Sequence, residues 1–263
     1  MKVIRKLNNE KLENIVWGII SFTAIIIFWQ IIVTLIKAEN FPPPTKVFSE
    51  FLKDFISPIG KYTLLGHIGW SLSRVLVGYC AAAVLGISIG LFMGWSKFFR
   101  ALFKPVFDLL RPIPPIAWIP LSILWFGIGE KPKYFLIFIG AFTAFTLNAY
   151  LGAVKVDKQL IGAAKMLGAT DKQVFRKVVL PSTVPQIFSG FQVALSNAWM
   201  AVLGAEMIRS SEGAGWIIIM GMESGNTPQM IVGMISIGIT GFILATSMRV
   251  LERRLVAWNV RGK

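Results

Sequence analysis

The sequence predicts an all-α, polytopic membrane protein with about six transmembrane helices. Three observations carry that prediction. Of 263 residues 55% are hydrophobic and only 15% charged, well below the quarter or so of charged residues usual in soluble domains. Mean hydropathy is +0.66. The apolar residues also fall into runs of the length, about 20 residues, that crosses a bilayer as helix.

Six such runs are read in order: Ile15–Ile36, Leu72–Gly94, Asp108–Ile128, Tyr134–Val154, Gln186–Ile208 and Met230–Val250. The first follows a basic stretch (Lys2, Arg5, Lys6, Lys11) but is too long for a signal-peptide core and lacks a small-residue cleavage pattern, so it is expected to be a retained anchor. Nineteen of the 27 Lys and Arg residues fall on one side if the N-terminus is cytoplasmic. The positive-inside rule then places both termini and the loop after the fourth span in the cytoplasm. The expected organisation is a single transmembrane domain over residues 1–263. It has cytoplasmic segments at 1–14, 155–185 and 251–263 and an outer amphipathic segment at 37–71.

Several function classes drop out. The net charge of +14 sits in clusters between apolar runs, which fits membrane topology and anionic lipid better than nucleic acid. One cysteine, Cys80, and one histidine, His67, exclude an internal disulfide and any metal site built from several Cys or His. No cofactor is expected, and no G-x-x-x-x-G-K-[ST] phosphate loop is present. Gly86–Gly90 matches the G-x-S-x-G hydrolase elbow, but it lies inside an apolar run with His67 toward the other end, and is read as chance.

Within the spans, Gly78, Ala82, Gly86, Gly90 and Gly94 recur every four residues, a stripe that lets a neighbouring helix approach closely. The third span carries Pro112, Pro114, Pro115 and Pro120; such prolines free carbonyls that need protein or water as partners. Pro114, Pro115, Trp118 and Pro120 are therefore candidates for a wet translocation path. Gln192, Ser196 and Trp199 at helical spacing, with Asn197 beside them, are the candidates from the fifth span, with interhelical hydrogen bonding as the alternative. Glu206 is placed to pair with Arg209 one turn on, and Arg74 either to attract an anion or to snorkel to headgroups. Two short helices are expected off the membrane core. One follows the prolines in Asn40–Ile56, with Val47, Phe48, Phe51, Leu52 and Phe55 on one face; the other spans Gly213–Met222.

The segment 157–186, "DKQLIGAAKMLGATDKQVFRKVVLPSTVPQ", departs from its surroundings. Asp157 suits the N-cap of a helix running to Leu167, and Gly168 the left-handed residue that ends it. Thr170 and Gln173 form a capping-box pattern for a second helix, with Val174, Phe175, Val178 and Val179 on one side and Lys172, Arg176 and Lys177 on the other. Pro181 is expected to stop it. A basic hairpin on lipid headgroups would have this charge. It would not need the small pair Ala163–Ala164 or a defined glycine turn, which suit docking into a protein groove.

In this segment the chain resembles the inner-membrane permeases of bacterial ABC importers. Their cytoplasmic loop reads E-A-A-x-x-x-G, nine residues, then I-x-L-P; here Gly162, Ala163, Ala164, Gly168, Val178, Leu180 and Pro181 stand in register. Gly162 replaces the glutamate and Val178 the isoleucine. "FPPPTKVF", "LRPIPPIAWIPLSILWFGIGE" and "LERRLVAWN" look like the nitrate, sulfonate, taurine and bicarbonate subfamily.

The resemblance implies a type I ABC importer transmembrane domain paired as a homodimer in the bacterial inner membrane. It also implies two separate ATP-binding subunits docked on the loops and an extracytoplasmic substrate-binding protein. The docking residues it implies are Gly162, Ala163, Ala164, Gly168, Phe175, Leu180 and Pro181, and the cargo a small solute such as a sulfonate, taurine or nitrate. The chain itself would not be an enzyme. The rival readings are an ion-coupled carrier or channel, which leaves the docking loop unexplained, and a membrane-embedded enzyme, for which no catalytic cluster is available.

Overall fold

The computed structural model describes residues 2–36, 41–208 and 210–255. Among these, every regular element is helical: α1 Lys2–Ile36, α2 Pro44–Ile56, α3 Leu64–Trp95, α4 Lys97–Leu110, a 3-10 turn Pro115–Trp118, α5 Ile119–Phe126, α6 Glu130–Val154, α7 Lys158–Met166, α8 Asp171–Val174, a π turn Phe175–Val179, α9 Leu180–Glu206, α10 Ala214–Glu223 and α11 Thr227–Leu255. Five helices are long and apolar enough to cross a membrane, and a sixth span arises if α4 and the Pro115–Phe126 pair count together.

The core is a layer of α3, α6 and α9 packed along their lengths, with α11 against α9. The small-residue stripe decides the closest contact. A methyl group at Gly90 would lie 2.4 Å from the Thr146 carbonyl oxygen, and one at Gly94 2.4 Å from the Ala153 Cβ. The stripe is thus a seam within the chain, where backbones approach as glycine allows in lipid. Above it, Tyr79, Phe145, Trp199 and Val202 fill the middle of the bundle, and the Tyr79 hydroxyl donates to the Phe191 carbonyl at 2.8 Å.

Two predicted boundaries are corrected. The helix of the second span begins eight residues early, at Leu64 rather than Leu72, so His67 and Ser71 are buried side chains of its first turns. The third span, read from Asp108 to Ile128 with its backbone broken or kinked at the prolines, is a bent pair whose first helix starts at Lys97: α4 ends at Leu110 and the chain turns by 91° before Pro115–Phe126. Pro112, Pro114 and Pro115 each remove a helical N–H, and residues before proline avoid the helical region; the break falls there.

The flanking helices keep apolar faces uncovered. In α1, Trp17, Phe22 and Phe28 are exposed, as a helix surrounded by hydrocarbon would leave them. The α2 helix forms as expected but is turned: Val47 and Asp54 are buried, Phe51 packs half-buried, and Phe48, Leu52 and Phe55 face outward. The expected helix Gly213–Met222 appears as α10.

Candidate functional site

Three places hold the polar and strained features. The first is the loop 155–180. Asp157 caps α7, its carboxylate accepting the Gln159 N–H at 2.8 Å. Gly168 takes φ +81°, the left-handed conformation that ends the helix without a Cβ penalty. Thr170 and Gln173 form the capping box, each backbone N–H bonded to the other's side chain. Val174 and Val179 are fully buried, and Phe175 stacks on Phe92 at 6.2 Å and against Trp95 at 5.8 Å. The loop is thereby rooted on the end of α3 in a second apolar cluster with Leu91, Ala149 and Ile187.

The seven docking candidates divide between two faces. Gly162, Ala163, Gly168, Leu180 and Pro181 are exposed, whereas Ala164 and Phe175 pack inward on the bundle. The sequence reading missed Met166 and Leu167, 85% and 89% exposed at the end of α7. Large apolar side chains on an otherwise charged loop helix were the available signal. Pro181 does not stop the second helix. The chain continues from α8 through the π turn into α9, because the wider turn relieves the clash a proline ring makes with the carbonyl four residues back.

The second place is the proline break. Between the Pro115–Phe126 segment, α6 and α9 lies a cavity of about 330 Å³, bordered by Arg111, Pro114, Pro115, Thr143 and Asn197 among apolar neighbours. Of the candidate path residues, only Pro114, Pro115 and Asn197 meet there. Pro120 is exposed on α5, and Trp118 packs edge-on to Phe135 at 6.2 Å with its indole N–H unpartnered. Gln192, Ser196 and Trp199 turn away from the cavity. Gln192 donates to Glu252, Ser196 to the Gln192 carbonyl, and the Trp199 indole N–H to the Ile237 carbonyl at 3.2 Å. Gln192 and Trp199 thus reach α11, whereas Ser196 is exposed and bonds only within its own helix.

The third place, at the bundle end opposite α7, is a buried charge cluster that the sequence reading did not assemble. Arg74 is fully buried and spends all five guanidinium N–H groups. Two go as a fork to Glu130 at 2.6 and 2.8 Å, one to Glu206 at 2.8 Å, and the rest to the Glu212 carbonyl and carboxylate at 2.9 and 3.0 Å. Glu206 also accepts from Ser71 at 2.8 Å and from the Gly215 N–H at 3.0 Å. Lys133 bonds Glu130 and Ser210. The expected Arg209 partner of Glu206 lies outside the described residues, and Arg74 takes that role. Gly213, at φ +119°, leaves room that a Cβ would not: one built there would sit 2.4 Å from the Glu206 Oε2. His67 is held as a neutral ring, Nε2 against the Ile59 carbonyl at 2.9 Å and Nδ1 accepting the Gly213 N–H at 3.1 Å. Ser88 of the G-x-S-x-G pattern is exposed and bonded to the Val84 carbonyl.

A helical membrane bundle with a rooted loop at one end and a broken span beside a cavity is an architecture suited to a transport subunit. The particular family follows from comparison. Residues 82–258 match the family described as binding-protein-dependent transport system inner membrane component, and the chain belongs to it. It is 34% identical over 254 residues to a probable ABC transporter permease of Brucella abortus, covering 97% of this chain and all of that one. It is 34% identical to the Escherichia coli taurine transport system permease TauC, covering 89% and 86% of the two chains, and 32% to the Synechocystis nitrate import permease NrtB, covering 90% and 88%. An inward-facing structure of the MetNI methionine ABC transporter superposes with a TM-score of 0.61 at 21% identity over 74% of this chain and 95% of that one. The fold is the type I ABC importer transmembrane fold. The protein is a multi-pass inner-membrane permease subunit of an ABC importer, not an enzyme; an ATP-binding subunit and a substrate-binding protein are its partners. The ion-coupled carrier and membrane-enzyme readings are set aside.

Proposed function

We propose that two copies of this subunit form the path for a small oxyanion-bearing solute and that α7 is the element through which two ATP-binding subunits drive it. Three relatives are named for taurine, aliphatic sulfonates and nitrate, the second being the Bacillus subtilis SsuC permease; all three are small solutes with a charged oxygen cluster. In this reading the whole chain is one permease domain. The α7 end, segments 1–14, 155–185 and 251–263, is cytoplasmic, and 37–71 lies outside, since the basic residues gather on the α7 side. Gly162, Ala163 and Gly168 touch the ATPase, Ala164 and Phe175 hold α7 in place, and Leu180 and Pro181 carry its motion into α9. Closure of the ATPase pair then tilts α9 against α3 and α6, a rigid-body route to alternating access.

The single observation that supports the coupling role most is the outward face of α7. Met166 and Leu167 stand almost fully exposed on a helix whose other side is anchored. Such a knob makes no intramolecular packing and fits an apolar groove on a partner. Leu167→Glu should leave membrane insertion intact while the ATP-binding subunit no longer co-elutes with the permease and ATP-driven uptake is lost. Gly162→Glu should keep both, because a Cβ built there meets nothing within 4 Å in this chain and the loop pattern it resembles carries glutamate at that position. Full co-elution and uptake in Leu167→Glu would refute the assignment.

A further inference from the structure

We infer that Arg111 is the specificity-determining cation of the translocation path, placed to receive a small oxyanion at the proline-break cavity; this rests on the cavity being part of that path. The α4 helix carries its charges at Lys97, Arg100, Lys104 and Asp108, and Arg111 continues the series one residue past its end. At 100° per residue these five positions fall within an arc of about 80°. Phe98, Leu102, Val106 and Leu109 occupy the other side and are exposed. A single narrow charged arc on a membrane helix either rests at headgroups or borders water. The far end of the helix decides between them. Arg111 borders the same cavity as Gly140, Thr143 and Asn197. Gly140 lies ten residues into α6, about 15 Å from its nearer end at 1.5 Å per residue. The cavity thus reaches toward membrane mid-depth, and the exposed Arg111 stands on its border at the proposed cytoplasmic side of the third span, where its charge is met by water or by an anion.

Two of the other cations of the series, Arg100 and Lys104, are committed, and the exposed Lys97 lies at the opposite end of α4, away from the cavity. Arg100 donates to the Met93 and Gly94 carbonyls at 3.0 and 2.7 Å, closing the end of α3, and Lys104 pairs with Asp108. Arg74 is saturated by its carboxylates. Arg111 makes no ion pair or side-chain hydrogen bond among the described residues. Its planar fork matches the paired oxygens of a sulfonate, nitrate or carboxylate. Thr143 and Asn197 are the neutral polar side chains on the cavity wall, and the remainder is apolar, a lining that would accept the hydrocarbon part of a short organic anion.

The test uses the assembled transporter, permease with its ATP-binding subunits, in phosphatidylcholine proteoliposomes, with Cys80 replaced by serine and Thr143→Cys as reporter. Labelling rates are measured for the anionic reagent sulfonatoethyl methanethiosulfonate and its cationic trimethylammonium counterpart, each normalised to its rate with 2-mercaptoethanol. With Arg111 present the sulfonate reagent should be favoured roughly tenfold, the order of bias expected from one cation bordering the same partly wet cavity. Arg111→Lys should keep most of the bias and Arg111→Gln should abolish it. Equal rates in the parent, an unchanged bias in Arg111→Gln (the result if Arg111 serves lipid phosphate instead), or a thiol at 143 that neither reagent reaches would each overturn the inference. The parent comparison needs no change at Arg111, so a misfolded variant does not blunt it. Loss of the ATP-binding subunit would bear on the docking proposal alone.

Discussion

Asp54 is the one acidic residue of α2 turned into the protein. It is 3% exposed, and its Oδ2 has no hydrogen-bond partner. Burial, helped by the neighbouring Glu50 and opposed by Lys53, pushes its carboxyl up to about 6, against about 3.9 in an unfolded chain. The folded protein therefore holds the extra proton between those values. Stability is highest where Asp54 is protonated, falls as pH rises from about 4 through about 6, and stays lower above. Asp54→Asn should raise the midpoint of thermal unfolding at pH 7.5 by roughly 2–4 °C, with the gain shrinking toward pH 4 in a pH series of melting curves. A gain of equal size at both ends would mean that the carboxyl is not the cause. Glu50 behaves oppositely: its bonds to Lys53 and to Asn226 of the chain before α11 overcome partial burial and hold its carboxyl below the usual range.

At the scale of elements, the α3–α6 seam depends on backbone, which cannot step aside. The Gly90 Cβ position is crowded by the Thr146 carbonyl, the Ala149 methyl and the Tyr150 N–H nitrogen within 3.0 Å. Gly90→Ala should cost about 1–3 kcal/mol by forcing the helices apart, read as a lower midpoint in thermal unfolding of the purified subunit. Gly238→Ala, where nothing lies within 4 Å, is the matched control and should change little. The two helices of the loop teach a related point. Their start signals, Asp157 and the Thr170–Gln173 box, act through local hydrogen bonds and are visible in the chain. The supposed stop at Pro181 depended on the width of the turn before it, a property set by how Val174, Phe175 and Val179 pack on α3 and α9.

Across the whole molecule, the Arg74 cluster joins α3 to α6 through Glu130, to α9 through Glu206 and to the approach to α10 through Glu212. Removing the cation leaves buried carboxylates without a counter-charge, a change of about 3–5 kcal/mol. Arg74→Met should therefore destabilise strongly, and the double variant Arg74→Met, Glu206→Gln should recover part of that loss in the same unfolding assay. A double variant no more stable than the single one would show that Glu206 does not depend on Arg74. The clamp binds the end of the bundle opposite α7, so the two ends differ in kind: one is locked by ion pairs, the other carries an exposed docking surface rooted on aromatic rings.

Composition and the length of apolar runs, by themselves, determined a helical membrane chain, and the spacing of residues 162–181 pointed to its family. Both are local: a run either can or cannot pair its own backbone in lipid, and a capping motif acts within one turn. Only the tertiary structure decided which polar residues share a cavity. Gln192 and Asn197 are five apart on one helix, yet one faces α11 and the other the proline break. It also decided that Arg74 is saturated while Arg111 is free among the described residues, because partners such as Glu206 and Glu212 lie more than 130 positions away and no sequence spacing brings them together.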